Sequence, residues 1–265
     1  MKIRVQAAVR NHKGNIRGNN EDAFFLNGFY LPLAQMDEGG SFDADSNEAC
    51  QVYAVADGMG GEESGELASS AMTAALSGLA QDIARGKPVR QEIERTVQEA
   101  NETVCALQKG AGCTLALLCL HDGKGTVAWL GDSRVYLLRD GKLFRLSEDH
   151  TQSQRLLNMG VLDEEGARTH SMRHVLTRYI GMEMEGLLLQ PSYGEELALK
   201  KEDTFLLCSD GLTDMVEEEC IAAYLSKRPE DAAAALVEAA LAAGGKDNVT
   251  ALVVKIADCR RGWFL

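Results

Sequence analysis

Residues 52–68 read V-Y-A-V-A-D-G-M-G-G-E-E-S-G-E-L-A, and the rest of the chain is organised around them. Residues 52–56 form an apolar run that predicts a strand buried on both faces. It ends in Asp57 and Gly58, two further glycines follow, and a helical pattern begins after Gly61. A carboxylate at the end of a rigid strand is the arrangement to explain.

Asp-Gly is also a common hairpin turn, so the simpler explanation needs a control, and the chain supplies two. Asp122-Gly123 and Asp140-Gly141 each separate two strand-like stretches and predict hairpins. Asp57 and Asp210 differ from them. Each follows a continuous apolar run, 52–56 or 205–208, and each precedes a helical pattern with no partner strand in turn range. Two matching strand-end carboxylates point to one shared site.

At 265 residues with 45% hydrophobic content the chain can bury a substantial core. With 27 basic and 40 acidic residues, its net charge of -13 argues against a nucleic-acid surface and suits cation binding or simple solubility. The start, Met1-Lys-Ile-Arg-Val, has no apolar core of signal-peptide length, and no stretch reaches 18 apolar residues, so a cytoplasmic protein with no membrane association is expected. Seven cysteines form no C-x-x-C pair and read as reduced thiols.

Along the chain, 3–9 predicts a first strand. A Gly/Asn-rich loop then carries Arg17, Glu21 and Asp22 into a strand at 23–26. Residues 26–49 are polar and Gly-rich and read as an extended hairpin loop; Asp43-x-Asp45-x-Asn47 lacks the glycine and terminal glutamate of a calcium loop. Ser64 opens a helix whose Leu67, Ala71, Ala74, Ala75 and Leu79 recur at helical spacing as far as Arg85-Gly86. A second helix from Pro88 carries the stripe Ile93, Val97, Ala100, Val104 and Leu107. A meander of strands covers 113–120, 126–130, 134–138 and 143–146, with Asp132 in the turn before the third. A helix spans 151–159. Residues 162–184 lack periodicity and read as a surface flap, on whose surface His170 and His174 are expected. Strand character returns at 187–193 and 204–209. Helices follow at 217–225 and 229–243, with Gly244-Gly245 ending the second. The last strand covers 250–256.

This order predicts an α+β fold: two packed antiparallel β-sheets flanked on each side by a pair of antiparallel helices. The expected organisation is a single domain over 1–258 with a flap at 162–184, and a short peripheral tail at 259–265.

Such a sandwich gathers strand-end loops at one rim. If that rim collects Glu21, Asp22, Asp57, Asp132, Asp210 and Asp247, cations must sit among them. Two carboxylates about 4 Å apart repel by about 1 kcal/mol in water and about 4 kcal/mol at an effective dielectric of about 20. Oxygen donors select hard ions, Mg²⁺ or Mn²⁺. Two such ions sharing one carboxylate would acidify a water between them, and Arg17 would suit an anionic tetrahedral substrate. That chemistry is phosphoester hydrolysis.

The motifs support it. Arg17-x-x-Asn20-Glu21-Asp22, Asp57-Gly58-Met59-Gly60-Gly61 with Gly65-Glu66, Gly112-Cys113-Thr114, Gly131-Asp132-Ser133-Arg134, Asp149-His150, Ser209-Asp210-Gly211-Leu212 and Asp247-Asn248-Val249-Thr250 stand in this order. In order and spacing they resemble the bacterial branch of the protein phosphatase 2C family, metal-dependent phosphoserine/phosphothreonine phosphatases. The resemblance spans about 5–256. It implies that Asp57, Asp210 and Asp247 hold one Mn²⁺ or Mg²⁺, and that Glu21, Asp57 and the Gly58 carbonyl hold a second, with Asp57 bridging. It also implies that Asp22 binds metal-coordinated water, that Arg17 binds the substrate phosphate, and that Asp132 with Asp210 forms a third, weaker metal site. Catalytic roles thus fall to Arg17, Asp22 and Asp57. Where animal members carry a histidine after the Asp-Gly, this chain has Met59, and Glu62 replaces a histidine often found after the Gly-Gly. The implied partners are phosphorylated proteins and an opposing bacterial Ser/Thr kinase, with a monomeric enzyme. The rival from another class is a phosphopeptide-binding pseudophosphatase or scaffold, against which every expected metal carboxylate is present. A family member acting on an anti-sigma-factor antagonist is a second rival, although such enzymes usually carry sensor domains.

Overall fold

The computed structural model describes residues 1–60, 64–107, 110–184 and 186–259. Gly61 and Glu62, singled out above, and residues 260–265 of the expected tail lie outside the described residues.

In chain order, β1 (Ile3–His12), β2 (Asp22–Leu26), a 3₁₀ turn (Leu33–Glu38), β3 (Gly40–Glu48) and β4 (Cys50–Met59) lead into α1 (Ser64–Ala75), α2 (Leu79–Ala84) and α3 (Val89–Leu107). Next come β5 (Gly112–Cys113), β6 (Leu115–His121), β7 (Lys124–Leu130), β8 (Arg134–Arg139) and β9 (Lys142–Arg145). The short helices α4 (Gln152–Asn158) and α5 (Glu164–Thr169) precede β10 (Ser192–Tyr193), β11 (Leu197–Ala198) and β12 (Thr204–Cys208). The chain closes with α6 (Asp210–Thr213), α7 (Glu218–Leu225), α8 (Pro229–Ala242) and β13 (Val249–Asp258).

Two antiparallel sheets result. One runs β3-β1-β13-β12-β8-β9; the other runs β10-β7-β6-β4-β2, with β11 on β7 and β5 on β4. Strand alternation sends one set of side chains inward between the sheets, where Val5, Val9, Phe24, Tyr53, Val55, Leu118, Phe205, Leu207 and Val254 are buried together. The opposite face of β4 and β6 meets α1, α2 and α3 through Val52, Ala54, Met72, Ile83, Ile93 and Val97. The opposite face of β12 and β13 meets α7 and α8 through Leu206, Cys208, Ile221, Leu225, Leu236 and Val253. Each fully buried Leu, Val or Phe contributes about 1.5–3 kcal/mol, so three continuous apolar layers hold the four-layer sandwich. β4 is central to its sheet and buried on both faces, as its unbroken apolar run predicts.

Both control dipeptides are hairpin turns. Asp122 and Gly123 have φ of 47° and 75°, and Asp140 and Gly141 have φ of 52° and 74°. Both pairs thus take the left-handed angles that a two-residue turn needs.

Other expectations are corrected. Residues 26–49 are not an extended loop, because Gly40–Glu48 forms an edge strand paired along β1 from Ile3↔Glu48 to Asn11↔Gly40. Its inner face is built from Phe42, Ala44 and Ser46 only, so it carries almost no apolar signal. The helix after Ser64 does not run unbroken to Arg85. Gly78, at φ 94°, separates α1 from α2, and the buried stripe is Ala68, Met72, Leu76, Leu79 and Ile83. In α3 the stripe holds as far as Val104, whereas Leu107 is exposed. The meander is split between sheets: β6 and β7 belong to one, β8 and β9 to the other, and residues 131–133 cross between them. Of 187–193, only Ser192–Tyr193 is strand. Among the described residues, no helix is long and apolar enough to cross a membrane.

Candidate active site

The crossing at 131–133 shows why strand-end residues of both sheets meet. β2 and β4 pair with Asp22 opposite Asp57, and across the sandwich β12 ends at Ser209-Asp210 beside the start of β13. Asp132 lies on the link between them. Arg17, Glu21, Asp57, Gly58, Asp132, Asp210 and Asp247 line one cleft of about 470 Å³. Six of these seven are sequence-predicted side chains and the seventh is the glycine whose carbonyl was expected as a ligand; Asp22 lies just beneath, buried.

Each acidic residue is held in place by its neighbours, some through the backbone. Asp22 Oδ2 accepts from the Ser209 and Thr250 hydroxyls, both at 2.6 Å, while Oδ1 is buried with no partner among the described residues. Glu21 is fixed through its backbone, whose N–H donates to Asn248 Oδ1 at 2.8 Å and whose carbonyl accepts from Gly58 N and Ser69 Oγ. Asn19 Nδ2 donates to its carboxylate at 3.2 Å. Asp57 is fixed through its backbone, whose N–H donates to Thr114 Oγ1 at 2.9 Å and whose carbonyl accepts from Thr114 N at 2.9 Å; the Thr114 hydroxyl is 2.6 Å from that of Ser133. Asp210 opens α6, where helix N–H groups favour a negative charge. Asp247 Oδ2 accepts from Arg17 Nη2 at 2.6 Å, so the predicted phosphate ligand is also the counterion of a predicted metal ligand.

Gly58 and Gly65 make this approach possible. A Cβ on Gly58 would lie 2.3 Å from the Gly65 carbonyl oxygen, and one on Gly65 would lie 2.7 Å from Glu21 Cδ. The start of α1 therefore rests directly on the Asp57-Gly58 strand end and on Glu21.

The electrostatics follow from crowding. Burial, then Asp22, Asp210, Asp132 and Asp247, push the Asp57 carboxyl well above the usual carboxylate range. Burial and Asp210 do the same to Asp132, and burial raises Glu21. Burial pushes Asp22 up to about 7 against the two hydroxyl bonds. So many oxygen donors, pressed together against their mutual repulsion, fit divalent hard cations.

Sequence reasoning missed several participants. Ser209, Thr250 and Asn248 sit inside the quoted motifs, and their position beside the carboxylates was the available signal. His174 was expected on the flap surface, but its ring reaches the cleft, with Nδ1 3.3 Å from Asp210 Oδ2 and Nε2 3.3 Å from Asp214 Oδ2. Hydrogen bonds from the ring to those two carboxylates raise its pKa to about 10. No period in the flap foretells this, because the contact is set by tertiary anchoring. His170 lies at the end of α5 and is not brought to the site. Met59 lines the cleft.

With this geometry in hand, comparison with known proteins is direct. A family model described as protein phosphatase 2C matches residues 37–243. The serine/threonine protein phosphatase PstP of Mycobacterium tuberculosis is 33% identical over 263 residues, 96% of this chain and 45% of that protein. The chain thus spans under half the length of that relative. The serine/threonine phosphatase stp of Listeria monocytogenes is 31% identical over 95% of this chain and 96% of its own length. A crystal structure of the catalytic domain of PstP in complex with two manganese ions superposes with a TM-score of 0.78 at 31% identity, covering 96% of this chain and 100% of that one.

Proposed function

Because this chain belongs to the protein phosphatase 2C family, we propose that it hydrolyses phosphoserine and phosphothreonine esters of proteins with Mn²⁺ or Mg²⁺ held in the carboxylate cleft. The observation that carries the reading is the convergence of Glu21, Asp57, Asp132, Asp210 and Asp247, with Arg17, on one cleft between the ends of the two sheets. Asp57, Asp210 and Asp247 would hold one ion; Glu21, Asp57 and the Gly58 carbonyl would hold a second; Asp132 with Asp210 would hold a third, more weakly. Bound there, the ions supply the positive charge that acidifies an attacking water and offsets charge on the phosphoryl oxygens.

The side chains do the rest. Arg17, charged and half-exposed at the cleft mouth, presents N–H donors to phosphate oxygens while Asp247 fixes its Nη2. Asp22 offers its unpartnered Oδ1 as a hydrogen-bond acceptor for water beneath the cleft. The Met59 thioether has no proton to give, so this side chain does not serve as the general acid. We further place the chain in the cytoplasm, a reading supported by cysteines that form no disulfide among the described residues, as a monomeric single domain over 1–258 whose flap at 162–184 borders the substrate. Its proposed partners are phosphorylated proteins, phosphorylated by an opposing Ser/Thr kinase.

Hydrolysis of p-nitrophenyl phosphate by the purified chain tests the reading. Turnover is expected with Mn²⁺, and is expected to disappear with excess EDTA and in Asp210→Asn. A folded chain inactive with every divalent ion would defeat it in favour of a phosphopeptide-binding module.

A further inference from the structure

One flap residue enters the carboxylate cleft, and its surroundings are those of a ligand. The one-turn helix α6 puts Asp210 and Asp214 four residues apart on one side, and the His174 ring lies between them with one nitrogen toward each carboxylate. One ligand atom from each of Asp132, His174 and Asp210 falls within 4.8 Å of the others. Ligands bound at about 2.1 Å from a divalent ion are separated by about 3–4 Å, so a small approach of the three side chains brings their atoms into one coordination sphere. The flap is anchored immediately after His174 by backbone bonds: Gln152 N to the Val175 carbonyl at 2.9 Å, Thr177 N to the His150 carbonyl at 2.7 Å, and the Ile180–Cys113 pair. The ring is therefore placed by the fold.

We propose that His174 Nδ1 ligates, together with Asp132 and Asp210, a divalent transition-metal ion, and that Asp214 orients the ring through Nε2–H. The inference rests on the reading that the cleft holds cations, and adds to it a nitrogen donor and its orienting partner. A ligating histidine that donates its other N–H to a carboxylate has its tautomer and ring plane fixed, which is what Asp214 does here. An imidazole in place of a third oxygen shifts this position toward Mn²⁺ over Mg²⁺. Because the ligands come from the sheet-crossing link, α6 and the flap, the ion also ties the flap to the sandwich.

The test uses the full chain, stripped of metal and titrated with Mn²⁺. Electron paramagnetic resonance counts free and bound Mn²⁺, and its pulsed, spin-echo-modulated form reads ¹⁴N coupling from a bound imidazole. In the wild type the weakest class of bound Mn²⁺ is expected to show ¹⁴N modulation. His174→Ala should abolish the modulation and weaken that class alone; Asp214→Asn should keep the modulation but weaken the class roughly tenfold. The His174 side chain is 44% exposed, so circular dichroism of His174→Ala should match the wild type. Bound Mn²⁺ without nitrogen modulation, or modulation that persists in His174→Ala, would overturn the assignment while leaving the cation reading intact. A wild-type chain that binds no Mn²⁺ would overturn both.

Discussion

Ser209 donates its hydroxyl to Asp22 Oδ2 at 2.6 Å, and the bond joins the two sheets: Asp22 opens β2 in one, and Ser209 follows β12 in the other. Thr250 on β13 donates to the same oxygen at 2.6 Å, so one buried carboxylate is gripped from two strands of the opposite sheet. Removing one hydroxyl weakens the grip; removing both leaves a buried acceptor with nothing. Ser209→Ala and Thr250→Val are each expected to cost about 1–3 kcal/mol in denaturant unfolding of the metal-free chain. The double variant should cost more than their sum. Strict additivity would show that the two bonds do not share Asp22 as a common load.

The same burial makes stability depend on pH. Asp22 is pushed up to about 7, above the unfolded value of about 3.9, so the folded state holds the proton more tightly and gains stability as pH falls through 7. Asp57 and Asp132, both raised by burial and by the charge of neighbouring carboxylates, act in the same direction. So does His174, whose contribution is complete below about 6.5 and lost as pH rises toward 10. His150 opposes them below its unfolded pKa of about 6.5, because burial lowers it to about 4 and keeps it neutral when folded. Between pH 8 and pH 6.5 the metal-free chain is therefore expected to become more stable, by on the order of 1 kcal/mol from Asp22 alone. Saturating Mn²⁺ should flatten the slope. Metal-free melts that fall over this interval would contradict the assignment.

The two glycines at the strand end give separable predictions. Gly58→Ala drives its Cβ to 2.3 Å from a backbone oxygen, which cannot move without shifting α1, so a loss of about 1–3 kcal/mol or more is expected in thermal unfolding. Gly65→Ala meets chiefly the Glu21 side chain, which can rotate, and the Gly58 backbone only at 2.9 Å. It should cost less stability and weaken Mn²⁺ binding. Equal stability losses with unchanged Mn²⁺ affinity would argue against Glu21 as a ligand.

How legible the molecule was in its sequence depended on where the determining force acts. β4 was readable because a strand buried on both faces must be apolar throughout. Asp122 and Asp140 could be told from Asp57 and Asp210 because a two-residue hairpin needs strands on both sides. β3 was not readable: it is an edge strand, held by main-chain bonds to β1 and bearing charges such as Asp43 and Asp45 outward, so its side chains carry little trace of the pairing. The phase of α1 was misjudged because alanine satisfies buried and half-buried positions alike, whereas Met72 and Leu76 mark the core. The carboxylates of the cleft were visible as repeated strand-end motifs. His174 was not, since its place follows from backbone anchors of a segment with no period of its own.

Arg17 presents two roles that kinetics can separate. Asp247 engages its Nη2 at 2.6 Å, and a guanidinium has further N–H donors to offer. If Arg17 serves chiefly to hold Asp247, its loss should weaken Mn²⁺ binding and lower kcat at saturating substrate. If it grips phosphate, the loss should appear in KM. The side chain is 51% exposed, at the cleft mouth where a substrate arrives, and Asp247 is also positioned by the Asn248 N–H at 2.8 Å, so Asp247 keeps a partner without Arg17. A charge-assisted hydrogen bond contributes about 1.5–3 kcal/mol. Arg17→Ala is therefore expected to raise KM for p-nitrophenyl phosphate by roughly ten- to a hundredfold while Mn²⁺ affinity changes little. Arg17→Lys should recover only part of this, because an ammonium cannot present the planar fork. A lowered kcat with unchanged KM and weakened Mn²⁺ binding would reassign Arg17 to the metal site.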